Sequence, residues 1–95
     1  MTLTTNHLLT LLQDILHEQS SELQADVSEY QQIKRLVKTM MANNSISNET
    51  LLQLLPEIYN YGRLGENAQN MEELIHSNKY NIEQWLHAID ETTLQ

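Results

Sequence analysis

The chain has no cysteine, no phenylalanine, a single proline and only two glycines among its 95 residues. Without cysteine there is no disulfide, no thiolate for zinc and no thiol nucleophile. With so little glycine there is no phosphate-cradling loop, and no serine or threonine sits in a nucleophile elbow. Valine and threonine are too few and too scattered for the alternation that marks a strand. Cations are scarce as well: five Lys and Arg stand against thirteen Asp and Glu, a formal charge of −8. Such a surface repels phosphate backbones and anionic lipid, which argues against nucleic acid and membrane as partners. A long apolar run is also missing. The opening "MTLTTNHLLTLLQDIL" lacks a basic leader and a cleavage site, and its apolar residues are interrupted, so it reads as neither signal peptide nor membrane span. A cytoplasmic location is the expectation.

What remains is a chain dominated by Leu, Ile, Glu and Gln, sufficient for a single domain over residues 1–95 with a modest core. The fold class this predicts is all-α, an antiparallel helical bundle of about four helices. Leu8, Leu12 and Ile15 recur at helical spacing after a cap among Thr4 to Asn6, giving a first helix that ends near Gln19–Leu23. Asp26 and Glu29 have the form of a capping box. They open a second helix, striped by Tyr30, Ile33, Val37 and Met40, that stops at about Asn43. Ser47 or Asn48 caps the third, striped by Leu51, Leu52, Leu55, Ile58 and Tyr59. Pro56 lies inside it, and a proline removes a backbone donor and crowds the carbonyl of Leu52, so a kink or break is expected there. Gly62 reads as the stop of that helix. The core's only large rings are Tyr30, Tyr59, Tyr61, Tyr80 and Trp85.

The last third of the chain poses a choice between one helix and two. Counting alternately four and three from Leu64 meets Ala68, Met71, Ile75, Asn78, Ile82, Trp85 and Ile89, all apolar except Asn78. A break is free to reset this phase, and the phase does not reset. The spacing therefore predicts one continuous helix over about 66–91, about 40 Å long at 1.5 Å per residue. The competing reading takes "SNKYN" as a turn, because Asn and Ser are poor interior helix formers. Asn78 would otherwise sit in an apolar seam, where a lone polar residue fixes register or marks an opening to water.

Short connections favour antiparallel neighbours. In a hairpin of the first two helices, Asp14 comes level with about Arg35, so the acidic row Asp14, Glu18 and Glu22 is placed either to meet Lys34, Arg35 and Lys38 or to stay as a solvated charged face. The first three helices are too short to cover both ends of a 40 Å helix. A homodimer is the commonest way to cover the remaining seam. The interaction surface expected on this reasoning comprises Asn78, Ile82, Trp85 and Ile89, with Tyr59 and Tyr61 of the "IYNYG" cluster as further anchors. More often, in a chain without phenylalanine, such rings are simply core.

Catalytic chemistry finds little support. Glu73-x-x-His76 and Asp14-x-x-His17 have the spacing of carboxylate-bridged metal bundles. Both pairs flank the apolar stripes instead of filling them. The segment after "NNSIS" carries Glu49, Glu57 and a proline with no cation near its start, the wrong sign for a recognition helix in DNA. The expected function is a non-enzymatic protein–protein interaction or regulatory module, partnered by itself or by another protein, with no catalytic residue, metal or cofactor. The alternatives are a metal-dependent helical-bundle enzyme using the Glu/His pairs, and a purely self-associating structural domain.

Four segments in order, "LLTLLQDIL" (Leu8–Leu16), "VSEYQQIKRLVKTMMAN" (Val27–Asn43), "LLPEIYNYG" (Leu54–Gly62) and "QWLHAID" (Gln84–Asp90), resemble the YtzH-like family of small Bacillus proteins. The resemblance spans nearly the whole chain and contains no catalytic signature. It implies a bacterial cytosolic protein and adds no site residue.

Overall fold

The helical periodicities are realised in five helices: α1 (Thr5–Glu22), α2 (Val27–Asn43), α3 (Glu49–Glu66), α4 (Met71–Ser77) and α5 (Lys79–Thr93). The computed structural model describes residues 5–22, 25–43, 46 and 48–93, and no strand occurs among them. The fold is an all-α bundle, as expected. Two of the anticipated caps are in place. The Asp26 N–H donates to Glu29 Oε2 at 3.2 Å, which is the backward half of a capping box. Asn48 Oδ1 accepts from the Leu51 N–H at 3.0 Å at the start of α3. Ser47, the other candidate, lies outside the described residues.

The closest pairing is between α2 and α3, and glycine makes it so. Gly62 does not end α3; it is buried within the last turns of the helix, which continues through the likewise buried Gly65 to Glu66. A Cβ on Gly62 would meet Lys34 Cγ at 2.7 Å and the Tyr30 carbonyl oxygen at 3.1 Å, while one on Gly65 would fall into the Tyr30 ring. Both glycines of the chain thus face α2 one turn apart and let the two backbones approach. Glycine costs about 1 kcal/mol in a helix interior, and here the close packing of Tyr30 offsets it. Pro56 does not break α3 either. Pro56 and Leu52 are both exposed, so water can satisfy the Leu52 carbonyl that loses its donor.

The continuous last helix is not formed. A helix of 26 residues would be about 39 Å long, more than the 35 Å longest extent of the molecule. Residues 66–91 are divided between the end of α3, a connection over 67–70, α4 and α5. Asn70 Oδ1 accepts from the Glu73 N–H at 3.0 Å and starts α4. The helix is interrupted at Asn78, whose backbone N–H is shared between the carbonyls of Leu74 and Ile75, both at 3.1 Å, and whose side-chain Nδ2 also donates to the Leu74 carbonyl at 3.0 Å, before the Ile82 N–H resumes the ladder on the Asn78 carbonyl at 2.8 Å. Asn is prone to this competition with the helix ladder. The apolar phase survives because the break consumes a single residue, with Ile75 before it and Ile82 after it both buried. An unbroken phase therefore does not require an unbroken helix.

One core joins all five helices. Leu9, Leu12 and Leu16 of α1 pack with Ile33 and Val37 of α2 and Leu55 and Ile58 of α3, and the bundle is closed by Ile75, Ile82 and Ile89. Tyr80 is not part of it; it is 71% exposed. The pairing of α1 acids with α2 bases is also absent. Lys34 Nζ instead bridges to Glu66 Oε1 of α3 at 3.0 Å and lies 5.8 Å from the centroid of the Tyr59 ring. Asp14, Glu18, Arg35 and Lys38 are exposed and form no ion pair among the described residues. Lys34 lies at the flank of α2 that meets α3, and that flank takes the charge pairing.

Candidate functional site

Of the six residues anticipated as an interaction surface, Ile82 and Ile89 are fully buried and present no surface. Tyr61 and Trp85 are each 2% exposed, while Tyr59 and Asn78 are half-buried. The seam that motivated a homodimer is closed within the chain by α1 and α3, both of which pack on α5. With Ile82, Trp85 and Ile89 buried within the chain, the uncovered seam on which a second copy was argued is not there.

Tyr61 instead occupies a buried polar junction. Its hydroxyl donates to Gln19 Oε1 of α1 at 2.6 Å and lies 3.2 Å from the Tyr30 hydroxyl of α2. With the Tyr61 proton committed to Gln19, the Tyr30 hydroxyl is the donor of the second bond. The Tyr61 ring also meets Trp85 of α5, with centroids 5.3 Å apart. Four helices are thereby tied at one point. Burial pushes both phenol pKa values up, and for Tyr61 the bond to Tyr30 adds to the rise, so both hydroxyls stay neutral. Gln19 is wholly buried, and its Nε2 has no hydrogen-bond partner among the described residues.

On the outside, α4 packs on α1 and α5 but makes hardly any close approach to α3. A groove opens between them. A recess of about 480 Å³ has apolar walls of Leu64, Ala68 and Leu74 and a polar rim that includes Asn70, Glu73 and Ser77. Leu64 is 48% exposed there. It also borders a smaller cleft beside Asn78, Tyr61 and Trp85, so three of the anticipated residues meet at one end of the groove. The other end leads over Asn70 and Glu73 to Glu72. Glu72 in turn borders a recess of about 420 Å³ shared with Glu18, Glu22, Asp26 and Glu29, with Met71 and Ala25 as its apolar lining.

The Glu/His pairs are not brought together. Asp14, His17, Glu73 and His76 are all exposed. Among the described residues no three His, Asp or Glu side chains are placed to share a metal ion. No helix among those residues is long and apolar enough to cross a membrane.

The family model described as YtzH-like protein matches residues 3–89. The chain belongs to the YtzH-like family. It is similar to the "Uncharacterized protein YtzH" of Bacillus subtilis (strain 168), 28% identical over 90 residues that make up 95% of this chain and 97% of that protein. No solved structure matches it. Two features of this YtzH-like chain escaped the sequence reading. Gln19 follows Leu12 and Leu16 on the buried stripe of α1, a polar residue at an apolar position, and that spacing was the available signal. The groove had none, because Leu64 fits the phase of the last helix although it belongs to α3.

Proposed function

We propose that the protein is a non-catalytic module that binds a segment of another protein in the groove between α3 and α4. The observation that carries this reading is the half-exposed Leu64 in a recess with apolar walls, where α4 stands off α3. Single exposed apolar residues are ordinary. One set in a recess beside the partly covered Leu74 and Ala68 offers an anchor pocket of the kind that protein interfaces use. Asn70 Oδ1 and Asn67 Nδ2 are engaged within the chain, which leaves the Gln69 amide, Asn70 Nδ2 and Asn67 Oδ1 to pair with a peptide backbone. Burying a leucine-sized side chain there contributes about 1.5–3 kcal/mol, enough for an anchor once neighbouring contacts add to it.

The test is selection from a displayed library of random peptides against the immobilised protein and its Leu64→Asp variant. Peptides with apolar anchors are expected to enrich on the wild type and to lose binding on the variant. Leu64 is surface-accessible, so the substitution leaves the core intact, which circular dichroism checks. Absence of enrichment, or enrichment indifferent to Leu64→Asp, overturns the reading.

A further inference from the structure

Resting on that reading, we infer that the partner segment is bipartite: an apolar stretch that fills the groove at Leu64, continued by a run of Lys or Arg that lies in the acidic recess. The two halves are neighbours on one surface. The Leu64 groove and the acidic recess are linked by Asn70, Glu73 and Glu72, which border the space between them. Glu18, Glu22, Asp26, Glu29 and Glu72 face the acidic end. None forms an ion pair among the described residues, and no Lys or Arg lines any part of this path. Like charges so placed repel one another, and a cationic partner relieves that repulsion while gaining its own attraction.

The class of occupant follows from charge. Nucleic acid and anionic lipid are repelled by the same carboxylates. A second copy of the chain carries −8 itself. Its densest cationic run, Lys34 to Lys38, includes a lysine already bridged to Glu66. A basic segment of a different protein is what remains. A peptide of about ten extended residues reaches about 33–36 Å, comparable to the 35 Å longest extent of the molecule. Such a segment spans both halves.

The experiment uses the individual peptides recovered from the random library, titrated into the full chain by isothermal calorimetry. Expected peptides carry an apolar cluster followed or preceded by Lys and Arg. Their affinity falls about tenfold or more on Glu22→Lys/Glu72→Lys, a loss typical of reversed charges at an interface. The difference shrinks at 1 M salt, where the screening length is about 3 Å. Leu64→Asp abolishes binding independently. Peptides that need Leu64 but carry no basic run, or ignore the double charge reversal, overturn this inference and leave the groove reading standing. Basic peptides that ignore Leu64→Asp overturn both, because the acidic recess then acts without the groove. Failure of any peptide to bind also overturns both.

Discussion

The ring of Tyr30 lies on Gly65 so closely that a Cβ at position 65 would overlap it. Tyr30 has little freedom to withdraw, because its hydroxyl is tied to Tyr61 and its ring packs edge-on to the Tyr61 ring, with centroids 5.2 Å apart. Gly65→Ala gains about 1 kcal/mol of helix propensity but overpacks the α2–α3 contact, a change that costs typically 1–3 kcal/mol and sometimes more. Because the Cβ would fall into the ring, the cost lies at the upper end of that range, and we expect a net loss of about 2 kcal/mol in urea unfolding. Gly62→Ala should cost less, because one of its obstacles is the flexible Lys34 side chain. A Gly65→Ala protein as stable as the wild type would show that the helices do not approach this closely.

Much of this fold was legible because helical periodicity and caps are local. The bounds of α1 and α2 and the cap at Asn48 follow from residue spacing and polar side chains alone. Other features depend on partners distant in sequence. Gly62 has the credentials of a helix stop, and only the presence of Tyr30 across the interface explains it as a packing residue. Asn78 was visible as an anomaly in the seam, but its reach to the Leu74 carbonyl, which ends α4, is a matter of geometry. The groove exists because α4 leans on α1 and α5, and nothing in a linear pattern encodes that choice.

The Gln19–Tyr61 bond makes a prediction about buried polarity. Tyr61→Phe removes the donor to Gln19 Oε1 and leaves the whole buried amide unsatisfied, at a cost of about 1–3 kcal/mol. Gln19→Leu removes the orphaned Nε2 along with the acceptor, and Tyr61 keeps Tyr30 as a partner. That variant should lie within about 1 kcal/mol of the wild type on either side. The double variant should be less destabilised than Tyr61→Phe alone. Equal losses from the two single substitutions would mean that Gln19 is held by contacts other than this bond.

Alkaline pH offers a separate measurement of the same junction. Burial raises the folded-state pKa values of Tyr30 and Tyr61 above the ordinary phenol value of 10.0. The native state therefore holds protons that the unfolded chain releases. Their contribution to stability is fully present below pH 10 and declines as pH rises above it, by at most about 1.4 kcal/mol per pH unit for each group. Denaturation midpoints measured between pH 8 and 11 should fall above pH 10, and Tyr61→Phe should flatten the slope by about one proton. An unchanged slope in that variant would place the Tyr61 hydroxyl in water.

The wall of the groove depends on a short helix, and its cap is the place to test that. α4 has seven residues, well under the roughly 12–15 that an isolated helix needs to be even marginally stable in water. It is held by packing of Ile75 and by the Asn70 side chain at its start. Asn70→Ala leaves the Glu73 N–H without its acceptor, and loss of such a cap typically costs about 1 kcal/mol. Because α4 is short, the loss should be felt locally. Amide hydrogen exchange should quicken over Leu74–Ser77 while the core of α2 and α3 keeps its protection. Asn70→Asp retains the acceptor oxygen and should restore the protection. If Asn70→Ala leaves exchange in α4 unaltered, packing of Ile75 alone holds the helix, and the groove wall is firmer than its length implies.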